Sequence, residues 1–90
     1  MKVYLAGKIT DDPNYKAKFA RATYKFPADT VISPAVLPSK GLSKGDYMRI
    51  CFAMIDSADV VAFLPDWKES LGATVEHEYC QYIGKPILYI

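Results

Sequence analysis

One acid in this chain stands where helical spacing puts the core. The stretch Phe63 to Pro86, FLPDWKESLGATVEHEYCQYIGKP, predicts a helix with Gly72, Glu76, Cys80 and Ile83 on one face, flanked by Ala73 and Tyr79. Apart from Glu76 that stripe is small or apolar, so it is suited to packing against a sheet. A carboxylate there loses its water unless another group binds it, which favours its protonated form. Carboxylates perturbed in this way are candidates for catalytic sites. Two readings stay open at this level: a functional acid in a cleft, or an acid at the stripe's edge that turns to water or pairs with a lysine.

The elements that must position Glu76 follow from the chain in order. Lys2 to Ala6 reads as a buried strand ending at Gly7, where a turn or the close approach of a ligand needs a glycine. Asp12-Pro13 predicts an N-cap and first residue for a helix with Tyr15, Phe19, Ala22 and Phe26 on its buried side. Lys16, Lys18, Arg21 and Lys25 form its solvated face, and Pro27 stops it. Thr30 to Ser33 is a second strand, and Pro34 to Gly45 a loop long enough to serve a function. Ser43 and Asp46 form a capping box for a helix burying Tyr47, Ile50, Cys51, Met54 and Ile55. Asp59 to Leu64 is the third strand, with Asp59 as a turn or cap group. Gly84 fits a C-terminal cap, and Ile87 to Ile90 is the fourth strand.

Such alternation predicts an α/β fold of three layers, with a four-stranded parallel sheet in the order 2-1-3-4. Ligands of these sheets bind at the carboxyl ends of the strands, beside the switch point between strands 1 and 3. Gly7 to Thr10, Pro34 to Lys40 and Pro65 to Gly72 converge there, and Glu76 lies one turn into a helix that starts at that edge.

Ninety residues, 51% hydrophobic and 13% aromatic, describe one packed domain over 1–90 rather than a disordered chain. A formal charge of +1 with no basic run leaves no footprint for a nucleic-acid polymer. Cys51 and Cys80 stand apart with a single histidine, so spacing assembles no metal site, and no cofactor is expected. No signal peptide or membrane-length apolar run is seen, so reduced thiols in a cytoplasm are expected. His77, one helical step from Glu76, is expected at the surface or an interface.

Four segments in order carry a resemblance: Tyr4-Leu5-Ala6-Gly7, Ser57-Ala58-Asp59-Val60-Val61, Ser70-Leu71-Gly72-Ala73-Thr74-Val75-Glu76 and Gly84-Lys85-Pro86-Ile87. Together they resemble the nucleoside 2-deoxyribosyltransferase superfamily. Asp46-Tyr47-Met48-Arg49 and Leu64-Pro65-Asp66-Trp67 are similar to its small DUF4406 branch, often phage-encoded. The Ser70-Leu71-Gly72 segment also resembles the deoxynucleoside 5′-monophosphate N-glycosidases.

The resemblance implies a flavodoxin-like fold, a small-molecule nucleotide or nucleoside as ligand, and chemistry at an N-glycosidic bond. It makes Glu76 the nucleophile at the anomeric carbon, a role that suits an anion facing an oxocarbenium-like transition state. Tyr4 matches the tyrosine that orients the carboxylate, or else packs as a core residue. Ser70 matches a phosphate contact, which the helix N-terminus supports, or is a bare N-cap. Gly72 opens the same helix. The hydrolases' glycine-rich phosphate loop is absent after Gly7, where Lys8, Ile9 and Thr10 offer a cation and a hydroxyl instead. Trp67 and Tyr47 are expected either to sandwich a base or to form a lid or subunit contact. Cys51 stands where the family carries an aspartate that binds sugar or protonates the base, and Asp46 lies more than a turn earlier. Losing that acid removes roughly 10² to 10⁴ in rate if it transferred a proton. Asp66, Glu69 or solvent then remain to assist a leaving purine.

Two functions follow as expectations: an enzyme cleaving or transferring at the N-glycosidic bond through Glu76, or a binding protein that sequesters or senses a nucleotide-derived signal with little or no chemistry. A homodimer or higher homo-oligomer is expected in either case, with Tyr79 and Tyr82 as a contact face.

Overall fold

A computed structural model describes residues 1–90. Its strands are β1 (Lys2–Ala6), β2 (Thr30–Ile32), β3 (Val60–Phe63) and β4 (Ile87–Tyr89), and its helices α1 (Tyr15–Thr23), α2 (Lys44–Ser57) and α3 (Leu71–Ile83). The strands form one parallel sheet in the order β2-β1-β3-β4. The predicted order and class are therefore observed. Most strands are shorter than the sequence pattern suggests, although the ladder continues past them: Asp59 N–H donates to Lys2 O, Leu64 N–H to Ala6 O and Ile90 N–H to Phe63 O.

Side-chain alternation along the central strands builds two cores, one on each face of the sheet. Tyr4, Ala6, Val61 and Phe63 pack with Cys51, Ile55 and Ala58 of the α2 segment and Cys80 of α3. Val3, Leu5, Ala62 and Leu64 pack with Phe19 and Ala22 of α1. Helices therefore cover both faces, α1 on one side and α2 with α3 on the other.

The helix ends follow local chemistry. Ser43 accepts from Asp46 N–H while Asp46 accepts from Ser43 N–H, completing the expected box. Ser70 caps α3 by accepting from Ala73 N–H at 3.1 Å. Gly84 ends α3 at φ 75°, a left-handed conformation that favours glycine.

The start of α1 departs from expectation. Asp12 does not cap it; the carboxylate accepts from Asn14 N–H at 2.9 Å and bonds Lys18, so regular helix begins only at Tyr15. The helix ends at Thr23, and Phe26 reaches its core from the turns that follow. Lys18 also leaves the solvated face assigned to it, for the reason given below.

Candidate active site

β1 leads to α1 on one face of the sheet and β3 leads to α3 on the other, so a crevice opens between their carboxyl ends. A cavity of about 1020 Å³ occupies it. Its walls are the β1–α1 loop from Gly7 to Pro13, parts of the β2–α2 loop, the start of α2 and the mouth of α3. Tyr4 and Glu76 lie on the wall, brought together from positions 72 residues apart.

Glu76 is 5% exposed. Its Oε2 accepts a 2.8 Å hydrogen bond from the hydroxyl of the fully buried Tyr4. Its Oε1 has no protein partner, yet no fully buried side-chain oxygen or nitrogen lacks one. Oε1 is therefore the atom that reaches the cavity. Burial pushes the Glu76 carboxyl up to about 7, against the opposing pull of the Tyr4 hydrogen bond. Burial and the neighbouring carboxylate together raise the Tyr4 phenol well above its ordinary value. Cys51 adjoins Tyr4 on the same wall, and burial raises its thiol to about 11.

The β1–α1 loop is tied down by one cation. Lys18 Nζ donates to Lys8 O at 2.7 Å, to Asp12 Oδ2 at 2.5 Å and to Asp66 Oδ2 at 2.5 Å. Asp66 Oδ1 in turn accepts from Lys8 N–H at 3.1 Å. Burial lowers the Lys18 pKa, but the two carboxylates outweigh it and hold the ammonium charged. Both backbone groups of Lys8 are thereby pinned, leaving its side chain to the cavity. Gly7 serves the same closure: a Cβ there would stand 3.0 Å from Leu64 Cβ and 3.2 Å from Asp66 Oδ1. Lys18→Met leaves Asp12 and Asp66 facing one another without a cation. The urea midpoint is expected to fall by roughly half a molar in low salt, and by less in high salt, which screens the remaining repulsion. Equilibrium unfolding at two ionic strengths checks this.

Of the residues singled out from the sequence, Tyr4, Gly7, Lys8, Ile9, Thr10, Tyr47, Cys51, Ser70, Gly72 and Glu76 lie on the cavity wall. Asp46, Asp66 and Trp67 do not. Asp46 is engaged by its capping box and by Arg49 at 2.7 Å, and Asp66 by Lys8 and Lys18. Trp67 does not face Tyr47 across a ligand. Its ring stacks on His77 with centroids 4.1 Å apart and meets the edge of Phe63. This packing covers indole surface that the open crevice would leave wet. His77 is accordingly buried rather than superficial, with Nε2 2.6 Å from the Tyr89 hydroxyl. The buried stripe of α3 is Ala73, Glu76, His77 and Cys80, turned toward β4 and Trp67, and Ile83 is left 42% exposed. Tyr79 turns inward to stack on Phe52 and donate to Asp56, which leaves Tyr82 as the exposed ring.

Lys44, Tyr15 and Met48 also line the cavity, unassigned by sequence reasoning. Tyr15 and Lys44 are the first residues of α1 and α2. Helices that follow parallel strands begin at the carboxyl edge, so their opening residues were a usable clue. No group of three His, Cys, Asp or Glu side chains is placed to hold a metal ion. No helix is long and apolar enough to cross a membrane.

The fold matches that of two solved enzymes. A 2-deoxyribosyltransferase from Leishmania mexicana superposes over 99% of this chain and 63% of its own, with a TM-score of 0.76 and 17% identity. A 2-deoxyribosyltransferase from Bacillus psychrosaccharolyticus does so over 99% and 71%, with a TM-score of 0.67 and 21% identity. The chain thus spans less than two thirds of the Leishmania protein, and the likeness is one of fold. No curated protein matches it in sequence. The family model described as a domain of unknown function, DUF4406, matches residues 1–89, and the chain belongs to that family.

Proposed function

We propose that the chain binds a nucleoside or nucleotide in the crevice and breaks its N-glycosidic bond through Glu76. The observation that carries this reading is the buried carboxylate whose Oε2 is held by Tyr4 while Oε1 is left open to the cavity. In its ionised form Oε1 attacks the anomeric carbon as the bond to the base breaks. Water or a second base then releases the sugar from the ester. Ser70 and the free N–H groups at the start of α3 support a phosphate or hydroxyl of the substrate at the cavity's mouth. The shared fold with two 2-deoxyribosyltransferases supports the same chemistry.

One observation favours a second reading, a binding protein with little turnover. Cys51, at the place the resemblance gives to an aspartate, presents a thiol with a pKa of about 11, poorly matched to proton transfer near neutrality. A panel of nucleosides and 5′-monophosphates, followed by chromatography of free base, separates the two. Release of base is the expected result. Retention of an intact ligand supports the binder, and neither release nor binding overturns both.

A further inference from the structure

Lys18 does not line the cavity, yet each group it bonds belongs to a stretch that does. Its Nζ donates to Lys8 O and to the carboxylates of Asp12 and Asp66, and Asp66 accepts from Lys8 N–H. Lys8 and Asp12 flank the loop tip Ile9-Thr10-Asp11, which lies on the cavity wall. Asp66 belongs to the β3–α3 loop, which runs on to Glu69 and Ser70 on the same wall. One ammonium thus fixes both ends of the tip and ties it across the switch point to the segment that leads into α3 and Glu76. The side chains of Lys18, Asp12 and Asp66 are 20%, 21% and 23% exposed, so solvent screens them less than an ordinary surface pair.

The tip depends on being held. Asp12 N–H donates to Ile9 O at 3.2 Å, closing a tight turn, and Asp11 within it has φ 62°. A residue with a side chain seldom adopts that left-handed backbone, which persists where its surroundings impose it. The Ile9 side chain packs against the core of α1, but beyond the one turn the tip makes no hydrogen bond to the rest of the chain.

Resting on the glycosidic reading above, we infer that Lys18 is a positioning residue for substrate binding: through Lys8 and Asp12 it keeps the loop tip in the shape that receives the nucleoside. A wall held in shape beforehand spares the ligand the entropy of ordering it. That saving is the same in the ground state and the transition state, so its loss raises KM and leaves kcat nearly unchanged. A merely structural lysine gives the reverse. Partial unfolding removes active molecules, so apparent kcat falls while the KM of the remainder stays.

The test measures base release from 2′-deoxyadenosine and its 5′-monophosphate by wild type, Lys18→Met, Asp66→Asn and the double variant, each well below its unfolding midpoint. Lys18→Met is expected to raise KM about tenfold or more and to change kcat by less than about threefold. Asp66→Asn should raise KM less, because the amide oxygen can still accept from Lys8 N–H. In the double variant the two KM effects should not add, since both break the same clamp. That variant also removes the repulsion between Asp12 and Asp66, so it stays measurable even if Lys18→Met alone unfolds. An unchanged KM, a loss carried mainly by kcat, or KM effects that add overturns the inference and leaves Glu76 chemistry standing. No release of base by the wild type overturns both.

Discussion

Glu76→Gln is expected to stop base release and, at alkaline pH, to make the protein harder to unfold. The amide keeps the shape and can still accept from Tyr4, but it offers no anion to the anomeric carbon, so the loss should be on the order of 10⁴-fold or more. The stability gain follows from the raised carboxyl pKa, which moves from 4.5 to about 7 because burial disfavours the charged form. The folded state then binds this proton more tightly than the unfolded chain does. Its contribution to stability is complete below pH about 4.5, is lost as pH rises to about 7, and is absent above. That shift amounts to roughly 3 kcal/mol for a group this deeply buried. Urea unfolding between pH about 4.5 and 8 should show wild type losing this amount and Glu76→Gln losing little of it. Identical pH dependence in the two proteins would show that Glu76 is not desolvated as described. A residue that weakens the fold where it ionises is one retained for another purpose.

Tyr4→Phe is expected to move the pH at which the chain becomes active rather than to abolish activity. The phenol donates to Oε2 at 2.8 Å and is the one group that lowers the Glu76 pKa. Hydrogen bonds to charged groups contribute about 1.5–3 kcal/mol, so removing this one raises the carboxyl by roughly one to two units. The ionised share of Glu76 at neutral pH then falls about tenfold or more, and kcat/KM falls with it. At pH about 9 to 10 much of the rate should return. The ring packs in the core with Cys51, Val61 and Phe63, and phenylalanine preserves that packing. A pH–rate profile of the two proteins decides the matter. A loss of equal size at every pH would mean that Tyr4 acts on the substrate and not through Glu76.

The sheet order, the faces of its central strands and the caps at Ser43, Ser70 and Gly84 were legible in the sequence because each depends on neighbours a few residues away. Hydrophobic alternation sets which side of a strand is buried, and a right-handed crossover then allows few orders. The misplacements share a cause. Asp12 looked like a cap because Asp-Pro commonly is one, but Lys18, six residues on, claims its carboxylate together with Asp66 from the far loop. His77 was expected at the surface or an interface because it lies one helical step from Glu76, and Trp67 against a base or as a lid or subunit contact because it follows the third strand in a loop; their partners are each other, Phe63 and Tyr89.

What the sequence determined by itself is that a carboxylate on the buried face of the last helix begins near the carboxyl edge of a parallel sheet. Periodicity carries that much, since a helix face is defined by its own residues. Which oxygen is held by Tyr4 and which is open to the crevice were decided only by the tertiary structure. Those facts depend on side chains 72 positions apart meeting within hydrogen-bond reach, and on the small rotation of α3 that buries His77 with Glu76. Packing of the whole chain sets that rotation, and no local pattern encodes it.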